Sequence, residues 1–323
     1  MTERPELPFL EEPRGWTAAA FSGGTQPPIA RDCARRYNAA EVFRAGLALV
    51  ILSFGVARGA APSYSAAGIV NASSFTPGPF APNSILALFG SNLATDQYSI
   101  TGADIQNNML PTKLIGTQVF VGSSTGSGGP SHAAPLFFVS PTQINFILPA
   151  NLCPSLPCSV VVRVSTNSNS GPEVTVNMTA AAPALFSYVN YPGFVIATHG
   201  DSASVVTPDS PAHGGDIIVL YATGLGKTQE DPVSGELTCC PSGLIDPNAL
   251  QIVLGGVVID SSTTCPTAKG VEGPCIEYAG LTATQAALYQ INLIVPSGIG
   301  ANPTIQVMVD GQASATGPQL AVQ

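Results

Sequence analysis

The sequence predicts an all-β chain: two tandem antiparallel β-sandwiches behind an N-terminal signal segment. Composition, the period of the apolar runs and an internal repeat together point there. Of 323 residues, 45% are hydrophobic and 10% charged, with 33 Gly and 29 Pro, so roughly a fifth of the chain is turn-forming. That balance excludes a helical bundle or coiled coil. The positive mean hydropathy and recurrent Val, Ile, Leu and Phe exclude a disordered chain. The apolar residues come in short runs bounded by Gly, Pro, Asn or Ser, and beyond residue 61 none keeps an i, i+3, i+4, i+7 spacing.

Residues 1–61 read as a leader and signal peptide. Ala45 to Ala57 is an uncharged apolar run of 13 residues, preceded by Arg35, Arg36 and Arg44 and followed by Gly59, Ala60 and Ala61. A bilayer span needs about 20 residues. A basic start, a short apolar stretch and a small-residue exit are instead the layout of a secretory signal. The polar, Pro-rich residues before Arg35 fit either a flexible extension or a start assigned too far upstream. No Cys follows the apolar run closely, so a lipid anchor is not expected, and neither is a membrane span in the mature chain.

Setting the leader apart makes the body acidic. Seven of the 11 Lys and Arg precede residue 60, leaving Lys113, Arg163, Lys227 and Lys269 against 14 of the 20 acidic residues. Nucleic acid needs several cationic contacts to its phosphates and is excluded as a partner. Adhesion to an anionic membrane surface is disfavoured on the same ground.

Apart from Cys33 in the leader, the cysteines are Cys153, Cys158, Cys239, Cys240, Cys265 and Cys275. An even number in an exported chain reads as disulfides. Cys153 and Cys158 bracket Pro154 and Pro157 in a tight loop and are expected to pair. Cys265 and Cys275 flank a Gly- and Pro-containing insertion and are expected to form a second local pair. Cys239 and Cys240 then either bridge each other or pair elsewhere. Zinc is disfavoured, because Cys-x2-Cys knuckles are missing and His132, His199 and His213 show no ligand spacing.

Four blocks recur in the same order. Ser84–Leu93 matches Asp216–Leu225 at an offset of 132, and Gln118–Gly122 matches Gln251–Gly255 at 133. Gln143–Pro149 matches Gln290–Pro296 at 147, and Ser159–Val164 matches Thr304–Val309 at 145. The jump in offset falls at the Cys265 to Cys275 insertion, which places that insertion in a loop. Each block is β-branched and aromatic with period two; in the third, Ile144, Phe146 and Leu148 share one face and Gln143, Asn145 and Ile147 the other. Two copies of this size are expected to be immunoglobulin-like sandwiches over 62–188 and 189–323.

The residues also carry a family resemblance. It runs through Gly68–Phe75, Ala81–Ile85, Phe89–Leu93, Ala134–Asn145, Ala182–Phe186, Tyr221–Gly226, Tyr278–Leu281 and Leu288–Asn292. This ordered series resembles the Solibacter-type uncharacterised C-terminal domain family of exported acidobacterial proteins, whose halves are similar to IPT/TIG immunoglobulin-like domains. The resemblance spans about residues 66 to 323. It implies fold and export and passes on no catalytic residues. Family members often close a longer chain, whereas here the module is expected to stand alone.

Candidate sites are sparse. Gly122-Ser-Ser-Thr-Gly126 matches the spacing of a hydrolase nucleophile elbow, but Ser127-Gly-Gly-Pro130 cannot begin the helix that an elbow requires. Gly226-Lys227-Thr228 resembles the end of a phosphate loop, yet Tyr221 stands where the first Gly belongs, so it reads as the turn after a core strand. His199, Asp201, Asp209, His213 and Asp216 read as a polar loop rather than a Ca²⁺ site. The repeated pair Gln143 and Asn145, matching Gln290 and Asn292, is expected to be structural, with amides satisfying backbone groups. Tyr188, Tyr191 and Phe194 cluster at the join, where packing between the domains is expected to use them.

The expected function is therefore an exported, non-enzymatic interaction or structural module, secreted, periplasmic or at the cell surface. Its partner is a protein or glycan of the cell envelope, and no cofactor or metal is expected. A carbohydrate-binding accessory module and an extracellular hydrolase are the alternatives. Sequencing the N-terminus of exported protein checks the leader: the mature chain should start between residues 57 and 62, and an intact Met1 contradicts the signal peptide.

Overall fold

A computed structural model describes residues 59–123, 132–167 and 169–323. The expected signal segment, Trp16, Cys33 and Ser124 of the elbow-like motif lie outside these residues. Among the described residues there is no α-helix, only 3-10 turns at Gly102–Asp104 and Pro247–Ala249. No described helix is long and apolar enough to cross a membrane.

The first unit contributes β1 (Ser63–Asn71), β2 (Ile85–Ser91), β3 (Tyr98–Ser99), β4 (Thr117–Ser123), β5 (His132–Ala133), β6 (Leu136–Val139), β7 (Gln143–Ile147), β8 (Cys158–Thr166), β9 (Asn169–Ser170) and β10 (Val174–Met178). The second contributes β11 (Ala184–Leu185), β12 (Ala197–His199), β13 (Ile217–Thr223), β14 (Ser242–Gly243), β15 (Leu250–Leu254), β16 (Val257–Ile259), β17 (Thr264–Pro266), β18 (Glu272–Pro274), β19 (Ile276–Leu281), β20 (Tyr289–Ile294), β21 (Ile305–Val309) and β22 (Gln312–Ala313).

The first unit packs a sheet ordered β1-β2-β7-β6-β3 on one ordered β10-β8-β4-β5. The second repeats this with β11-β13-β20-β19-β14 and β16-β15-β21-β22. With the principal strands lettered A to G, both units have one sheet in the order ABED, extended beyond D by a two-residue strand (β3 or β14), and the other as CFG, extended beyond C by β5 or β16, which is the immunoglobulin arrangement. The chain is thus two tandem immunoglobulin-like β-sandwiches. The four blocks paired in the sequence fall on β2, β4, β7, β8 and on β13, β15, β20, β21, at matching sheet positions.

Strand register follows the alternation of side chains. β7 pairs with β2 from Ile85 opposite Ile147 to Phe89 opposite Gln143. This turns Ile144, Phe146 and Leu148 into a core shared with Val160, Val162 and Val164 of β8. In the second unit Ile218, Leu220 and Ala222 of β13 meet Ile291 and Leu293 of β20 and Ile305 and Val307 of β21. Each fully buried Leu, Ile, Val or Phe contributes about 1.5–3 kcal/mol, so these two cores carry most of the fold.

β11 pairs with β13, with Ala184 opposite Thr223, so residues 184–185 belong to a sheet of the second unit. Leu185 is buried in the second core, and its burial takes the strand with it. The second unit then docks on the first through direct bonds: the Ile85 amide donates to Thr223 Oγ1 at 3.0 Å, and the Ser73 hydroxyl donates to the Leu185 carbonyl. Beside them Phe137, Phe138 and Ile147 pack with Ala286, Ala287 and Leu237. A strap between β13 and β14 adds backbone pairing, with the Leu110 amide donating to Gly235 O at 2.9 Å and the Leu237 amide to Asn108 O at 2.7 Å.

Two glycines permit this approach. Gly224 has φ of +74°, and a Cβ there would stand 2.2 Å from Ala182 O. Gly235 has φ of +88°, and a Cβ would stand 2.5 Å from Pro135 Cγ. Cys153–Cys158 and Cys265–Cys275 are both bonded, as the spacing leads one to expect. Loops this short gain about 2 kcal/mol each by restricting the unfolded chain. Gly224→Ala is expected to destabilise the protein by about 2 kcal/mol, from left-handed strain and the carbonyl clash. Chemical denaturation measures this, and an unchanged midpoint contradicts the close packing at the junction.

Candidate functional site

The docked units enclose a cleft of about 250 Å³. The first unit lines it with Pro82, Asn83, the 150–156 loop and Met178, and the second with Gly226, Lys227 and Asp231. The loop is held closed by the Cys153–Cys158 disulfide at the start of β8. Asn83 and Asn151 have φ of 57° and 31°, a left-handed backbone that Asn tolerates better than most residues.

Hydrogen bonds across the units fix the floor. Ser234 Oγ donates to Asn83 Oδ1 at 2.7 Å and accepts the Ala150 amide at 2.8 Å. Gly226 O accepts the Tyr289 hydroxyl at 2.5 Å. Burial, and secondarily the Asp231 charge, pushes the Tyr289 hydroxyl well above its ordinary pKa, so it remains a donor at any physiological pH. Asp231 Oδ1 accepts the Thr228 amide at 3.0 Å and the Thr228 hydroxyl at 3.2 Å, which closes the turn carrying Lys227. Lys227 is exposed and makes no ion pair among the described residues. The cleft thus offers an ammonium, a carboxylate and two carboxamides on a rigid frame.

Other sequence candidates lie elsewhere. Gln143 Nε2 donates to Asn145 Oδ1 at 2.8 Å, and Gln290 Nε2 to Asn292 Oδ1 at 3.1 Å. The amides therefore bond each other along one strand face in both units. They differ in cover: Gln143 and Asn145 are 5% and 3% exposed, whereas Gln290 and Asn292 are half-buried. Tyr188 and Tyr191 meet edge-on at 5.8 Å, Tyr188 donates to Ala197 O, and Phe194 packs on the second core. These rings serve the second unit, and the junction between units is built by other residues.

In the polar loop, the His213 amide donates to Asp216 Oδ2 at 2.8 Å, Tyr191 donates to Asp209 Oδ2 at 2.8 Å, and His199 Nε2 lies 3.4 Å from Ser210 O. Among the described residues no three His, Cys, Asp or Glu converge on a metal position. Cys239 and Cys240 are free and exposed. Sequence reasoning dismissed Gly226-Lys227 as a turn; its place on the cleft depends on the docking of the units, which left no sequence signal.

No protein-family model matches the chain, and no curated protein does. Among solved structures it is similar to SGBP-B from a complex xyloglucan utilization locus in Bacteroides uniformis, at 12% identity and a TM-score of 0.23. That likeness covers 81% of this chain and 50% of the other, so the chain spans half the length of that protein. The surface glycan-binding protein PbSGBP-B from Prevotella bryantii matches at 12% identity and a TM-score of 0.22, over 81% of this chain and 42% of its own. Domains 5-6 of the S-layer protein SbsC match at 11% identity and a TM-score of 0.20, over 81% and 98%. The fold assignment rests on strand order rather than on these likenesses.

Burial lifts the Tyr188 hydroxyl to about 12, and the Tyr289 hydroxyl is raised further. In the unfolded chain tyrosine ionises near 10. Both groups therefore contribute stability that is intact below pH 10 and is lost as pH rises through 10 to 12. Alkaline denaturation followed by tyrosinate absorbance is expected to show stability falling over that window. A Tyr188→Phe variant should fall less steeply, and an identical slope contradicts the burial of Tyr188.

Proposed function

We propose that the chain is an exported, non-enzymatic interaction module of the cell surface or extracellular space, and that the cleft between its sandwiches receives a polar segment of a partner. The observation that carries this reading is Lys227, an exposed ammonium without an ion pair among the described residues, which lines the cleft with Asp231 of its own unit and with Asn83 and Asn151 of the other. Loops on a rigid scaffold are the usual carriers of recognition. Export is supported by the two disulfides, which form and persist in oxidising compartments. Membership of the Solibacter-type family is part of the same proposal and rests on the motif series.

A non-enzymatic role is the simplest reading of a cleft lined by a single carboxylate and a single cation. A carbohydrate reading draws on the Tyr188–Tyr191 pair beside Asp209, where a sugar ring can stack and hydrogen-bond. Affinity capture from envelope extracts with the wild type and a Lys227→Glu variant tests the main reading. At least a tenfold loss of partner by the variant, with unchanged melting, is expected; equal capture removes the cleft from the account. A glycan that raises the melting temperature equally in both proteins moves the site to the tyrosine pair, and turnover in a hydrolase screen overturns the non-enzymatic reading.

A further inference from the structure

Four of the six cysteines outside the leader are committed to two disulfides, which leaves Cys239 and Cys240. Successive side chains of an extended strand point to opposite faces. Here the chain bends at both residues, and their sulfur atoms come within 3.2 Å on the exposed surface. The sequence left open whether this pair bridges itself or finds other partners. With the other four cysteines bonded, each of these thiols has only its neighbour within the described residues.

The place of the pair in the fold gives it a consequence. On its N-terminal side, Glu236 and Leu237 pair with Met109 and Asn108 of the first unit. The Thr238 carbonyl accepts the Thr284 amide at 2.7 Å, and on the C-terminal side Ser242 pairs with Leu281 at the sheet edge of the second unit. The dithiol therefore sits on the short run that joins the docked strap to the second sandwich.

We propose that Cys239 and Cys240 form a reversible dithiol–disulfide couple that exchanges with low-molecular-weight disulfides and sets how tightly the strap holds the two sandwiches. Adjacent α-carbons are about 3.8 Å apart across a trans peptide, below the usual disulfide span of about 4.4–6.8 Å. A bridge between them is strained as well as exposed, and strained, exposed bridges are the readily reduced, regulatory ones. The buried Cys265–Cys275 bridge is of the opposite kind.

The chemistry proceeds in two exchanges. One thiolate of the pair attacks a sulfur of the small disulfide, forms a mixed disulfide and expels one small thiolate. The neighbouring thiol loses its proton and attacks the protein sulfur of that mixed disulfide, expelling the second small thiolate. Two electrons and two protons leave the protein, and the small disulfide is reduced to two thiols. The hydrogen bond with Cys239, and then its charge, raises the Cys240 thiol above its ordinary pKa.

The test is intact-mass analysis of the purified, exported protein after equilibration in a series of glutathione redox buffers and alkylation of free thiols. The expected result is a two-electron step in which both thiols become unavailable to alkylation, reversed at reductant levels that leave Cys153–Cys158 and Cys265–Cys275 intact. A Cys239→Ser variant should instead hold a single glutathione adduct on Cys240. Hydrogen exchange at the Leu237 amide, which bonds across to the first unit, should differ several-fold between the two states. Two thiols that stay alkylatable throughout the series, or a bridge that opens only together with the other two, overturn the couple. Equal exchange at Leu237 in both states overturns its control of the strap.

Discussion

The alternation of side chains along β7 and its counterpart β20 is the constraint on which the rest depends. In β7, one face delivers Ile144 and Phe146 to the first core, while the other presents Gln143, Asn145 and Ile147. Ile147 is part of the cluster that receives Ala286 and Ala287 of the second unit. A slip of one residue exchanges the two faces, placing amides in the core and the core residues at the junction. Fold and docking are therefore fixed by the same five residues, together with the pairing of β7 to β2.

The junction follows from that register. β2 lies beside β7, and its first residue, Ile85, hands its amide to Thr223 at the end of β13. Gly224 comes next, and its lack of a side chain lets the chain pass the Ala182 carbonyl. From there the chain runs through Lys227 and Asp231 on the cleft and then into the strap that pairs with Asn108 and Leu110. The polar groups of the cleft are positioned by side-chain bonds both across the units, as from Ser234 to Asn83, and within the second unit, as from Thr228 to Asp231, so the geometry of the cleft depends on the docking of the junction.

Much of the fold was legible in the sequence because its signals are local. Period two over Gln143–Pro149 gives the face assignment, and short spacings with intervening Pro and Gly give both disulfides. The amide pair was recognised as a unit, but its mutual hydrogen bond was not, because residues two apart on a strand meet only when their rotamers converge. The first strand of the second sandwich was not legible because β11 has two residues, too few for any periodic signal, and is assigned only by its pairing and the burial of Leu185. The cleft was illegible for a related reason: the bonds that build it join segments far apart in sequence, such as Asn83 and Ser234, through common polar side chains that carry no pairing signal.

The contacts at the junction make the two sandwiches unfold as one body. Scanning calorimetry of the purified body, with both disulfides intact, tests it most directly by comparing the calorimetric and van't Hoff enthalpies. One transition in which the two enthalpies agree is expected. Two resolved transitions, each with the enthalpy of a single sandwich, would contradict it.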